Sequence, residues 1–218
     1  NVAFGTLNAP IEVKINGNVL SSNNYTYSNN TLKIPNVSGD IHIRKLIKYT
    51  LANLVTNGSF ENGLTGWTSS SSSFAGGVAK VPSPYGSYIG YRKPSGNAQN
   101  FLLQNIDNWK SGNVYFYFGY AAADTKQTFT CDVTNMGASG RFSFQTTANY
   151  NKGSAYFTST IAGANTISVC YAATTANVHF DGIGLVDLTT AFGRGNEPSW
   201  EWCKANINYF DGSTVVYK

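Results

Sequence analysis

The stretch NLVTNGSFENGLTGW, Asn53 to Trp67, crowds Asn-Gly and Gly turn signals around one carboxylate, Glu61, and one indole, Trp67. Turn formers at this density exclude a helix and place a tight, loop-rich entry to whatever follows. Glu61 then has three possible uses: chemistry, metal or packing. A glycosidase acid needs a second carboxylate at fixed spacing. The chain has only 11 Asp+Glu and no feature marks out a pair, so catalysis is not expected. Trp67 is expected in the core or capping its rim, because indoles are highly buried on average.

Downstream, from about 53 to 188, no stretch keeps a helical period. GSYIGYR, NAQNFLLQNI, NVYFYFGYAA, QTFTCDV, RFSFQT, SAYFTSTI, NTISVCYAA and NVHFDGIGLVDL are rich in β-branched and aromatic residues and are separated by Gly, Asn, Ser or Pro. About eight strands at this spacing predict an all-β fold, a jelly-roll β-sandwich. Upstream, IEVKI, YTY, TLKI and IHIRKL alternate between Asn-Gly and Asn-Asn turns, which predicts a small β unit of three or four strands over 1–47, a unit that resembles the closing strands of an immunoglobulin-like repeat. The period changes only in the C-terminal tail, 189–218. There Ser199 is placed to cap a short helix over 199–206, with Glu201 in the first turn, where a carboxylate complements the helix dipole.

Composition narrows the function. Charged residues are 12% of the 218, the net charge is +4, and the 15 Lys+Arg are scattered. No clustered basic stripe is present for a nucleic acid, and no apolar run approaches the roughly 18 residues of a membrane span. Three cysteines, an odd number with no C-x-x-C pair, argue against a disulfide framework. His42 and His179 sit in β-like alternation with no nucleophile motif beside them. Solubility drawn from Asn, Ser, Thr, Gly and Tyr fits an extracellular or virion protein. The opening Asn1 points to a processed chain or a piece of a longer one.

The two ends of the 53–188 segment resemble a known family. NLVTNGSFENGLTGW is similar to the opening of the jelly-roll carbohydrate-binding modules of families 4, 9 and 22, and NVHFDGIGLVDL to their closing strand. WKSGNVYFYFGYAAAD and GSAYFTSTIAGANTISVCYAA match their interior strands less specifically. The resemblance implies a non-catalytic glycan-binding module. It also implies a structural calcium ion tying the first strand to the last through Glu61 and Asp181, with backbone carbonyls completing the six to eight oxygens that calcium takes. The alternative is a solvated Glu61 and an Asp181 that accepts backbone N–H groups. The closing motif often carries two adjacent acids, whereas here Gly182 follows Asp181.

Sugars stack on flat aromatic faces, and Tyr suits this because it is rigid with a polar tip. The 14 Tyr cluster in SPYGSYIGYR (Tyr85, Tyr88, Tyr91) and NVYFYFGY (Tyr115, Tyr117, Tyr120). Alternation puts Tyr115 and Tyr117 on one face of their strand and Val114, Phe116 and Phe118 on the other. With the Phe face taken as core, Tyr115, Tyr117 and Tyr88 become the stacking residues, and Arg92, Gln99, Asn100 and Gln104 their hydrogen-bonding neighbours. The competing reading is a tyrosine ladder that merely covers an outer face through cross-strand pairs.

Finally, DLTTAFGRGNEPSWEW with NYFDGS resembles a tail segment of structural proteins from phages that infect Gram-positive bacteria. It implies a receptor-binding or tail-fibre protein, homo-oligomeric, partnered with other virion tail subunits and with bacterial cell-wall polysaccharide. A purely structural fibre module and an accessory domain of a secreted polysaccharide hydrolase are the alternatives.

Overall fold

The structure is a computed structural model that describes residues 2–3, 11–28, 31–79, 82–94, 100–170 and 172–218. Two compact units form: residues 1–49 with 215–218, and residues 50–214.

The smaller unit holds six short strands: β1 (Val2–Ala3), β2 (Ile11–Ile15), β3 (Asn18–Val19), β4 (Thr26–Ser28), β5 (Thr31–Lys33) and β6 (Ile41–Lys45). They make two three-stranded sheets, ordered β1-β5-β4 and β3-β2-β6, around Ile11, Val13 and Leu32. Strands of two or three residues carry too little alternation to register in a sequence, which is why fewer were expected. A ribbon of β7 (Lys48–Ala52) and β18 (Ser213–Tyr217) follows.

The larger unit is the all-β sandwich expected from the strand pattern. Its strands are β8 (Thr68–Ser69), β9 (Phe74–Val78), β10 (Tyr88–Arg92), β11 (Leu102–Trp109), β12 (Val114–Ala123), β13 (Thr128–Val133), β14 (Phe142–Gln145), β15 (Asn151–Thr158), β16 (Gly163–Val169) and β17 (Val178–Asp187). One five-stranded sheet runs β15-β12-β17-β10-β9 and the other β14-β13-β16-β11-β8, with antiparallel pairing throughout. The inner faces meet over Phe60, Trp67, Phe74, Leu102, Phe129 and Phe180. Each aromatic ring so buried contributes about 1.5–3 kcal/mol by area alone.

The opening stretch serves mainly to build this core. Asn53 Oδ1 accepts the N–H groups of Val55 and Leu185, which stitches the start of the sandwich to its last strand. Asn57 takes a left-handed φ of 51° and its amide donates to the carbonyls of Gly63 and Thr65, closing the turn. Trp67 is buried as expected, its indole N–H on the Asn57 carbonyl at 3.1 Å and its ring stacked on Phe60 at 5.4 Å.

Two helices close the unit: α1 (Leu188–Phe192), which the sequence did not suggest, and α2 (Trp200–Asn206), capped by the Ser199 side chain as expected. The segment carrying them lies across the outer face of the β15–β12 half of the first sheet. Tyr156 donates to the Pro198 carbonyl at 3.0 Å, the Trp200 indole to Ser154 Oγ at 3.0 Å, Lys152 to the Ile207 carbonyl at 2.5 Å and Tyr120 to Asn208 Oδ1 at 3.2 Å. The chain then returns to the start of the sandwich, where Asn53 N–H donates to Gly212 O at 2.8 Å and the Asn53 side chain to Phe210 O at 3.0 Å.

Candidate functional site

Alternation along β12 does sort its side chains into two faces, but the sequence reading chose the wrong one for the core. Tyr115 and Tyr117 are fully buried between the sheets. Tyr115 packs on Trp109 and Phe157, with ring centroids 4.7 and 6.0 Å away, and its oxygen accepts the Lys110 N–H. Tyr117 sets its ring edge-on against Phe142 and donates to the Ser168 carbonyl at 3.1 Å. Burial pushes the Tyr115 phenol up to about 12 and that of Tyr117 well above its usual range. Neither ring offers a face to a sugar. Phe116 and Phe118, on the other side of the strand, are equally buried because the C-terminal segment covers them. Period two cannot say which of two buried faces lies between the sheets.

Arg92 and Gln104 are corrected in the same way. Arg92 is fully buried, its guanidinium 5.4 Å from the centre of the Phe74 ring and donating to the carbonyls of Cys170 and Ala172. Gln104 pairs its amide with both backbone groups of Thr56, at 2.9 and 2.8 Å, and so anchors the opening stretch. Asn100 is half-buried just before β11, and Gln99 lies outside the described residues. Of the chosen residues that the structure describes, Tyr88 is the exposed one, at 40%.

Glu61 and Asp181 are brought together by the turn that precedes β10. Glu61 Oε1 accepts the N–H groups of Ser87 and Tyr88, both at 2.8 Å. Asp181 Oδ2 accepts the Ser83 hydroxyl and the Tyr85 N–H, the latter at 3.0 Å, while Oδ1 accepts the Gly182 N–H at 2.7 Å. Gly86, at φ 74°, passes so close that a Cβ there would stand 2.2 Å from Glu61 Oε1. Asp181 is fully buried, and burial pushes its carboxyl up to about 7 against the pull of Ser83, Gly182 and Tyr85, with the Glu61 charge raising it further. No Lys, Arg or His forms an ion pair with either carboxylate among the described residues. A buried, cation-free carboxylate next to a second one fits a divalent cation. No third His, Cys, Asp or Glu joins them among the described residues, so carbonyls and water would have to supply the remaining oxygens.

The outer face of the first sheet is partly open over β9 and β10, where it meets the buried His179 of β17. Register pairs Tyr91 with His179 and Ile89 with Gly77, and these residues share the face with Lys93. Together with Val78 and Asn177 they line a groove of about 310 Å3. Ile89 is its buried apolar floor. The missing side chain at Gly77 lets the Tyr91 ring lie against the backbone, where a Cβ would be 3.4 Å from Tyr91 Cε1. Among the described residues, the Tyr91 hydroxyl, the Lys93 ammonium and the Asn177 amide make no hydrogen bond or ion pair. A larger hollow of about 550 Å3 lies in the small unit, but Leu32, Ile34, Val37, Ile41 and Ile43 make it the unfilled margin of a small core. The sequence reading noted Tyr91 and His179 without joining them. The i, i+2, i+4 spacing of Ile89, Tyr91 and Lys93 was visible, but the facing residue on β17, about ninety positions away, was not.

With this geometry in view, the chain can be compared with known proteins. Similar solved structures include carbohydrate-binding modules. One, described as "CBM4 structure and function", is 15% identical over 61% of this chain and 98% of its own, with a TM-score of 0.47. A family 16 carbohydrate-binding module is 18% identical over 62% and 99%, with a TM-score of 0.46. The enzymatically active domain of tailspike protein 4 from bacteriophage CBA120 is 12% identical over 62% of this chain and 21% of its own, with a TM-score of 0.47. No protein-family model matches the chain, and no curated protein does.

Proposed function

We propose that residues 50–214 form a non-catalytic glycan-binding module whose saccharide lies in the groove over β9, β10 and β17. The observation that carries this reading is the Tyr91 ring, backed by Gly77 and set beside the apolar Ile89 floor, with the Asn177 amide and the Lys93 ammonium free to meet sugar hydroxyls. An apolar floor with a few convergent polar groups is the composition of a small-ligand site. The resemblance of the chain's two end motifs to carbohydrate-binding modules supports the ligand class. The DLTTAFGRGNEPSWEW segment supports a place in a phage tail or receptor-binding protein that holds a bacterial cell-wall polysaccharide. A groove this shallow binds weakly alone, so attachment would depend on several copies raising the effective concentration.

Glu61 and Asp181 would hold a structural calcium ion in this reading, outside the glycan groove. When bound, the ion supplies positive charge to a buried carboxylate that otherwise lacks it. The Ser83–Tyr88 turn orients both carboxylates.

The test is retention of the full chain on cell-wall polysaccharide. Tyr91→Ala is expected to weaken retention at least about ten-fold with the thermal midpoint unchanged, since stacking on an aromatic ring is worth about 1.5 kcal/mol. Undiminished retention by that variant would remove the groove from the account.

A further inference from the structure

The groove's charge is one-sided. Lys93 lines it, and among the described residues no Asp or Glu does. Acids elsewhere on the module are engaged or lie outside the lining: Asp132 pairs with Arg141 at 2.9 Å and Asp187 caps α1 through Thr190. Lys110, Arg141 and Arg44 each meet a carboxylate at 4.0 Å or less, whereas among the described residues the Lys93 ammonium meets none and makes no hydrogen bond. The Lys93 backbone is nevertheless fixed on both sides, its N–H donating to Ser73 O at 2.8 Å and its carbonyl accepting the Thr174 hydroxyl. The root of the side chain is therefore fixed on the rim, two residues along the strand from Tyr91, and the ammonium is within reach of that ring. A neutral sugar asks for amides and hydroxyls and gains little from an ammonium held this way. A sugar ring that carries an anion gains a charge-assisted hydrogen bond.

We infer that the groove is selective for an anionic saccharide, with the ring stacked on Tyr91 and its carboxylate or phosphate substituent on Lys93. The assignment rests on the glycan reading above and narrows it to acidic polymers. Carboxylate and phosphate present the same chemistry to an ammonium, and the test is built to tell them apart.

The full chain is titrated calorimetrically with an oligogalacturonate, with its methyl ester, and with an oligomannoside phosphorylated at the 6-position. The ester keeps the sugar and removes only the charge. At least one anionic probe is expected to bind about five-fold or more tighter than the ester, a ratio set by one partly exposed ion pair. Raising the salt should shrink that ratio. Lys93→Gln should bring it close to one, while Lys126→Gln, a charge outside the groove, should leave it as it was. The tighter of the two anionic probes identifies the substituent. An ester that binds as well as the acid overturns the selectivity and leaves the glycan reading standing. A response to either anionic probe that survives Tyr91→Ala shows plain charge attraction and overturns the inference too. If none of the probes binds and the chain also fails to stay on cell-wall polysaccharide, the glycan reading itself falls.

Discussion

Tyr117 and Tyr91 belong to the same sheet, and each sits among glycines, tyrosines and apolar neighbours in a strand of alternating pattern. Tyr117 projects inward from β12, fully buried, with its hydroxyl spent on the Ser168 carbonyl. Tyr91 projects outward from β10 beside His179, half-buried, with its hydroxyl free. One is a core residue with a polar tip that found a carbonyl; the other is a ring backed by bare backbone. Local sequence makes them look alike, and the difference lies in what covers each face.

The comparison breaks most sharply by truncation. Tyr117→Ala should cost about 3–5 kcal/mol in urea unfolding, the range for removing a buried aromatic. Tyr91→Ala should cost less than about 0.5 kcal/mol while weakening glycan binding about ten-fold. If the two variants lose equal stability, the assignment of inner and outer faces is wrong. Arg92→Met comes next. It leaves the Cys170 and Ala172 carbonyls without their donor, so a loss of about 2–3 kcal/mol is expected, with glycan affinity nearly unchanged.

Chelation addresses the carboxylate pair, with Asp181 two residues along β17 from His179. Removing calcium is expected to lower the melting temperature by a few degrees, about 1–2 kcal/mol for a chain of this size, and Asp181→Ala should abolish the response. A melt indifferent to chelator would leave Glu61 and Asp181 as acceptors for the Ser83–Tyr88 turn and nothing more.

The smallest effect concerns Lys152, which sits under α2 against the faces of Phe116, Phe118 and Tyr120. Burial lowers its pKa from 10.5 to about 8, although the ammonium donates to the Lys204 and Ile207 carbonyls. A lysine with a depressed folded pKa binds fewer protons folded than unfolded between the two values. Stability should therefore rise slightly as pH goes from about 8 toward 10.5. Lys152→Met should flatten that slope, and an unchanged slope would mean that the two carbonyls hold the charge in place.

Much of the fold could be read from the chain because its signals are local. Turn formers and alternation located the sandwich strands, Ser199 announced its helix, and the two end motifs placed Glu61 and Asp181 against one turn. The site was harder to read, since both faces of β12 are buried. What decides between them is a segment seventy residues downstream, whose hydrogen bonds run to Lys152, Ser154 and Tyr156. Its sequence reads as a tail, and nothing in it says which strands it will cover. The open half of the face was equally out of reach, because Tyr91 meets His179 only after the closing strand has docked.

The hydrogen bonds from Asn53 to Gly212 and Phe210 bring the entry and exit of the sandwich side by side. A body whose ends meet can be moved like a cassette. Closing 50 to 214 with a few residues and reopening the chain at the exposed turn near Gly137 should give a circular permutant that still folds. The same adjacency would let the whole module be spliced into a hairpin of an unrelated scaffold, leaving that scaffold's strands undisturbed.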